Sequence, residues 1–276
     1  MNERPIPDET PAGNDNSRPL PGPGFMDDLV MGLRFYSRLP FGDRPHAKPD
    51  LKRIVMALPF TSVLIGIGPV AVVIFGTLLG MPPYFAAALA VAAMVIVTGG
   101  MAEDGLADAA DGLFGGSGVE RRLEILKDSR HGTYGVAALC LFIVLRVVAL
   151  GSAAPGNALA AGAMWMAATI VARSGALWLT LALPPARADG ASAAAGRIGR
   201  TGFIVGSVFA VILSFVFAAP AVGIIGLVLG LLLAAGVALG WTQVCKRLVG
   251  GQTGDLIGAL QALIEIAVLA GFMLFL

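Results

Sequence analysis

The chain has 276 residues; 57% are apolar, only 13% are charged, and the mean hydropathy is +0.82. A soluble domain carries about 25% charged residues, so this composition excludes an ordinary soluble domain and describes a membrane protein. A formal net charge of +1 leaves no footprint for nucleic acid, and two distant cysteines, Cys140 and Cys245, imply neither a disulfide framework nor a zinc site; they are expected to pack as small hydrophobes.

Residues 1–24 are rich in Pro, Asn, Asp and Gly, lack the basic-then-apolar pattern of a signal peptide, and read as a disordered cytoplasmic tail. Residues 25–40 mix Leu29, Val30, Leu33 and Phe35 with Asp27, Asp28, Arg34 and Arg38, too polar to span and suited to an interfacial amphipathic helix. Apolar runs of spanning length follow. Residues 54–102 are divided at Pro82–Pro83; 135–153 and 157–183 each carry one arginine; 203–241 are divided near Pro220; 256–276 come last. The expected fold is all-α: a polytopic membrane helix bundle of about seven transmembrane helices, with residues 25–276 as one membrane-embedded catalytic domain. Small-residue pairs Gly226/Gly230 and Gly236/Gly240 fit close helix packing, although glycine is common in membrane helices generally.

The loops sort by charge. Segments 80–83, 151–157 and 218–223 hold none, whereas 1–53, 103–134, 184–202 and 242–255 hold nearly every Lys, Arg, Asp and Glu. With seven spans the two sets fall on opposite faces. Excess Lys and Arg mark the cytoplasm, which places the chemistry on the cytoplasmic side of the cell inner membrane.

The densest acidic cluster, GGMAEDGLADAADGLFGG at 99–116, follows an apolar run directly. Carboxylates at the edge of a bilayer point to a functional site. At about 3.6 residues per turn, Asp104, Asp108 and Asp111 lie near roughly 0°, 40° and 340° around the axis and share one face. Glu103 points elsewhere and is expected to be dispensable. Three like charges on one stripe repel unless a cation lies between them, and hard oxygen ligands suit Mg²⁺ or Mn²⁺. The stripe is too long for one ion to touch all three, but it suits ions bridging to a phosphate. The alternative is an acidic, solvated helix end.

Farther on, Lys127-Asp128-Ser129-Arg130 precedes His131-Gly132-Thr133-Tyr134-Gly135. Arg130 and Lys127 are candidates for phosphate oxygens, Asp128 for a metal ligand or base, and His131 reads as a bystander; the plain alternative is interfacial charge anchoring a helix. Gly250-Gly251-Gln252-Thr253-Gly254-Asp255 opens the last span, where glycines ahead of a helix N-terminus expose N–H groups to an anion and Asp255 doubles as an N-cap. Glu265 lies roughly 15 Å into that helix. An intramembrane Glu needs a partner, and the basic residues within spans are Arg146 and Arg173, so Glu265 is expected to pair with one of them in the bundle interior.

Together these blocks resemble the cobalamin 5'-phosphate synthase (adenosylcobinamide-GDP ribazoletransferase) family, from about Phe35 to the C-terminus. The matching blocks are YSRLP at 36–40, GGMAEDGLADAADG at 99–112, LKDSRHGTYG at 126–135, GGQTGDLIGA at 250–259 and Glu265 beyond; Arg146 and Arg173 stand where the family carries basic residues. Two positions depart from it: Ala102 stands where the family often has His, and Ala262 where it tends to have an acidic residue. The resemblance implies transfer of the corrinoid-linked phosphoryl group of adenosylcobinamide-GDP to α-ribazole or its 5'-phosphate, with GMP leaving and lipid as the surrounding phase. On that reading Asp104, Asp108 and Asp111 hold Mg²⁺ and, with Asp128, make up the catalytic set, a base for the ribose hydroxyl being sought in Asp128 or Asp111. Lys127, Arg130, Gly251, Thr253, Asp255, Arg146, Arg173 and Glu265 line the substrate.

Rival readings stay open here. CDP-alcohol phosphotransferases also carry an Asp-rich helix, but Gly115 and Gly116 stand where their Ala-Arg is needed and their second acidic block is missing. Membrane polyprenyl transferases need two Asp motifs of other spacing. A transporter would use Glu265, Arg146 and Arg173 along a pathway, which the uncharged outer loops argue against.

Overall fold

The computed structural model describes residues 24–41, 49–128, 130–187 and 198–276. The expected tail therefore lies, apart from Gly24, outside the described residues. Ten helices follow in order among those described: α1 (Phe25–Tyr36), α2 (Leu51–Leu78), α3 (Pro83–Thr98), α4 (Met101–Gly115), α5 (Val119–Ile125), α6 (Thr133–Ala153), α7 (Ala158–Ala176), α8 (Trp178–Ala182), α9 (Arg200–Leu248) and α10 (Gly254–Met273). Five segments are long and apolar enough to cross a membrane, or six if the α3–α4 pair, bent by 88°, is one span.

Helix α9 holds two crossings. Its 49 residues would extend about 73 Å at a rise of 1.5 Å per residue, against a hydrocarbon core of about 30 Å. At Gly223 the backbone leaves the helix (φ 70°, ψ 175°), a conformation glycine adopts without steric cost. Trp178 then touches both halves: its ring lies 6.1 Å from that of Phe203, and its Nε1–H donates to Thr242 Oγ1 at 3.2 Å. In one straight helix those partners would be nearly 60 Å apart, so 200–222 and 224–248 fold back as a hairpin. With the α3–α4 pair taken as one span, this division gives seven crossings among the described residues.

Local chemistry sets the other boundaries. Pro83 starts α3, its missing N–H being one the first turn leaves unused anyway. Gly99 and Gly100, at φ 66° and 69°, end α3 and turn the chain into α4. Arg38 of the YSRLP block sits at this elbow, its N–H donating to Val97 O at 2.7 Å and its side chain lying where a Cβ on Gly99 would stand. The interfacial α1 buries Gly32, Leu33 and Tyr36 and is tied to α2 by an Asp28–Arg53 ion pair of 2.7 Å.

At the centre is α7, nearly every residue of which is buried; a helix apolar on all faces belongs inside a bundle. It packs against α2, α9 and α10. Small residues let the backbones close. A Cβ on Gly206 would fall on the Val55 carbonyl oxygen, and one on Gly271 would stand 3.0 Å from Gly230 Cα. Of the small-residue pairs named from sequence, Gly226 and Gly230 pack, against Phe275 and Phe272, whereas Gly236 and Gly240 meet nothing within 4 Å. Cys245 is buried, as a small hydrophobe would be, while Cys140 is exposed on the outer face of α6.

These two kinds of glycine differ in what they tolerate. Gly206→Val drives carbon into backbone that cannot step aside and is expected to cost about 1–3 kcal/mol. Gly236→Ala is expected to be neutral or to stabilise by up to about 1 kcal/mol through helix propensity. Thermal unfolding of the two variants in detergent distinguishes them, and equal midpoints would contradict the packing described.

Candidate active site

The site is built on α4. Its first turn packs on the first turn of α10 at glycine distance: a Cβ on Gly105 would stand 2.9 Å from Asp255 O and 3.0 Å from Gly258 Cα. That contact sets Asp255 beside the acidic stripe, where Asp104, Asp108, Asp111 and Asp255 are close enough to act on one another electrostatically. Along the stripe, exposure falls from Asp104, which is exposed, through Asp108, which is half-buried, to Asp111, which is buried.

Asp111 departs from its expected role. Its Oδ2 accepts from Gly132 N–H at 2.6 Å and its Oδ1 from Gly135 N–H at 2.9 Å. Those are first-turn donors of α6 that no helical carbonyl satisfies, so Asp111 caps a helix 21 residues away in sequence. The two glycines are required there, because a Cβ on either would strike the Asp111 carboxylate. With each oxygen accepting one N–H, Asp111 orients α6 on α4 and is the most buried of the three stripe carboxylates.

Asp128 and Arg130 answer to each other. Arg130 Nη2 lies 2.7 Å from Asp128 Oδ2 and its Nε 3.0 Å from Oδ1. The guanidinium holds the Asp128 carboxyl down at about 2, which makes it a weaker base than an ordinary carboxylate. Lys127 is exposed just past α5. His131, expected to be a bystander, places Nδ1 3.7 Å from Asp108 Oδ1, beside the stripe. Sequence reading also passed over Arg122, which donates to Leu113 O at 3.2 Å and Leu248 O at 3.1 Å and joins the C-terminal ends of α4 and α9.

Beneath α4 lies a closed ionic cluster. Arg146 Nη1 donates to Glu103 Oε1 at 2.7 Å, and Arg146 Nε lies 3.0 Å from Glu265 Oε1, which also accepts from Trp165 Nε1–H at 2.8 Å. The rings of Phe142 and Trp165 stand 4.6 and 5.6 Å from the guanidinium carbon. Arg173 joins electrostatically and donates to Met94 Sδ at 3.6 Å. Exposures of 1% for Arg146, 2% for Arg173, 3% for Glu265 and 6% for Glu103 seal the cluster inside the bundle. Glu265 thus pairs with Arg146 in the interior, as its depth required. Glu103, expected to be dispensable, is the partner of a buried arginine. Arg146, Arg173 and Glu265, expected to line the substrate, are buried together in this cluster.

The third block is likewise structural in part. Thr253 caps α10, accepting from Leu256 N–H at 3.3 Å, and its hydroxyl donates to Asp255 Oδ2 at 3.3 Å. Gly251 leaves room for the neighbouring chain: a Cβ there would stand 2.7 Å from Pro184 O and Ala186 Cα. Among the described residues, no three His, Cys, Asp or Glu side chains converge closely enough to hold a metal ion by themselves. The open carboxylates are Asp104, Asp108 and Asp255.

The model of the cobalamin-5-phosphate synthase family matches residues 28–273. Proteins named adenosylcobinamide-GDP ribazoletransferase are similar over nearly their whole length. The one from Azorhizobium caulinodans is 40% identical over 255 residues, and the one from Xanthobacter autotrophicus 42% over 263; each alignment covers 91% of this chain and 97% of the relative. The Bradyrhizobium diazoefficiens protein is 40% identical over 256 residues, 91% of this chain and 96% of the relative. No solved structure matches the chain.

Removing one member of the buried cluster strands its partner. Glu103→Ala is expected to destabilise the protein by about 3–5 kcal/mol, the cost of leaving a buried charge unpaired, and Glu103→Gln by less, because it retains an acceptor. Thermal unfolding and size exclusion in detergent read this directly; a wild-type midpoint for Glu103→Ala would restore the view that Glu103 is dispensable.

Proposed function

The chain belongs to the cobalamin-5-phosphate synthase family, and we propose that it transfers the cobinamide-phosphate moiety of adenosylcobinamide-GDP to α-ribazole or its 5'-phosphate. The products are adenosylcobalamin or its 5'-phosphate, and GMP. The observation that carries the reading is the similarity to the ribazoletransferases, which spans 97% of their length and takes in every polar block of the site. The buried ionic cluster supports it against a transporter: Arg146, Glu103 and Glu265 close on one another, which suits a scaffold better than a pathway.

The chemistry follows from the bonds involved. A ribose hydroxyl oxygen attacks the phosphorus that carries the corrinoid, the bond from that phosphorus to the bridging oxygen breaks, and GMP departs with that oxygen. The hydroxyl proton goes to a carboxylate. Asp128 is tied to Arg130 and Asp111 to two N–H groups, so the base is sought among the open set, Asp104, Asp108 and Asp255.

The donor set fits Mg²⁺. That ion is ordinarily held by one or two carboxylates together with substrate phosphates, not by an all-protein cage. Asp104 and Asp108, one helical turn apart on the open part of the stripe, supply such a pair without Asp111. When bound, the ion neutralises charge on the diphosphate as the bond to GMP breaks. The charged loops on the side of α4 favour the cytoplasmic face of the inner membrane, where a phosphorylated, water-soluble donor is available.

Full-length protein in vesicles, given adenosylcobinamide-GDP and α-ribazole, is expected to form the corrinoid product and GMP in equal amounts with Mg²⁺ and neither with EDTA. Product in EDTA would remove the metal from the account, and no product under either condition, from folded protein, would remove the reaction. Asp108→Asn is expected to fold normally and lose activity by about 100-fold or more, the scale of losing a preorganised electrostatic group; near-wild-type turnover in that variant would contradict its place as a ligand.

A further inference from the structure

The polar groups described so far leave out the segment after α8. Residues 184–187 run beside 251–252 as a short parallel bridge. Gln252 N–H donates to Pro184 O at 2.9 Å, and Ala186 N–H donates to Gln252 O at 2.8 Å. Gly251 makes the approach possible, as noted above. The bridge holds Ala186, the residue before Arg187, against the loop that leads, three residues past Gln252, into Asp255. Arg187 and Asp255 attract one another, and Asp255 in turn feels Asp104 and Asp108.

Among the described residues, Arg187 Nε at this clamp is a buried donor without an acceptor. Gln252 Oε1 is a buried acceptor, which a phosphate oxygen does not satisfy, so the unmet donor is that of Arg187. Buried polar groups in a folded protein are ordinarily satisfied, by protein, water or ligand. The surrounding charge says which kind of ligand. A diphosphate brought against several carboxylates meets repulsion that must be offset by cations. Arg130, the guanidinium expected to supply one, is occupied by Asp128.

We propose that Arg187, carried to the site by the bridge between 184–186 and Gln252, binds phosphate oxygens of the nucleotide diphosphate donor. This deepens the function proposed above and rests on it for the identity of the donor. A guanidinium presents a planar fork of donors that matches two phosphate oxygens at once. The bridge ends at Ala186, so the backbone that leads into Arg187 is already fixed before the donor binds.

The test separates this role from the reaction itself. GDP, the nucleotide portion of the donor, is titrated calorimetrically into full-length protein in detergent with Mg²⁺, and initial rates are measured against each substrate in turn. Arg187→Ala is expected to weaken GDP binding by about tenfold or more, in keeping with loss of a charge-assisted bidentate contact. The KM for the corrinoid nucleotide should rise in parallel, and that for α-ribazole should stay within about twofold. If the alanine variant fails to fold, Arg187→Gln decides by the same criteria. GDP affinity within about twofold of wild type in a folded variant overturns the role, even where the wild type turns over normally. Wild-type protein that binds GDP through Arg187 but makes no corrinoid product upholds the contact and overturns the reaction instead.

Discussion

Arg146 is held between carboxylates of two different helices, Glu103 of α4 and Glu265 of α10, with aromatic rings of α6 and α7 about it. A guanidinium at that depth survives only if its charge is matched and its donors are directed. Matching it constrains every helix that contributes. Four helices meet at this cluster, and α4, the least apolar of them, is fixed by its inner face. The open carboxylates Asp104 and Asp108 are one and five residues from Glu103, so their positions follow from that anchor. Asp111 fixes the far end of α4 by capping α6, and Arg122 fixes its C-terminus to α9. A short, acidic helix at the edge of an apolar bundle is thus tied at three points by charged or charge-assisted contacts.

The same constraint divides the stripe into parts with different duties. Carboxylates facing inward or toward another helix end are consumed in holding the frame. Those facing outward, Asp104 and Asp108, stay open. Close approach of glycines completes the arrangement. Gly105 against Gly258 brings α10, and with it Asp255, alongside the stripe, and Gly132 and Gly135 let Asp111 reach two N–H groups. In the matched blocks GLAD, HGTYG and GGQTGD, the glycines carry as much of the architecture as the charged residues do.

Much of this was legible in sequence where the causes are local. Apolar run length gave the spans, Pro82–Pro83 gave a hairpin, and helical periodicity put the three aspartates on one face and turned Glu103 away from them. The inference drawn from Glu103 failed because its partner is 43 residues distant, and nothing in a helical wheel shows what the opposite face meets. Periodicity groups Asp111 with its neighbours on the stripe and does not show that α6 begins against it. Local sequence offers Arg130 to a phosphate and does not show that Asp128, two residues away, holds its guanidinium. Arg187 carried no signal at all, because only the backbone bridge to Gln252 brings it toward Asp255. Depth, by contrast, was informative: an intramembrane Glu265 demanded a cation, and it has one.

The Arg146 cluster sets the geometry of the open carboxylates. Arg146→Lys probes this, because lysine keeps the charge but has no fork with which to bridge Glu103 and Glu265. Turnover and KM for both substrates are measured on the folded fraction of that variant. The account expects both KM values to be retained and kcat to fall by on the order of 100-fold, the cost of displacing catalytic groups by about 1 Å. Folded Arg146→Lys protein with wild-type kcat would contradict it.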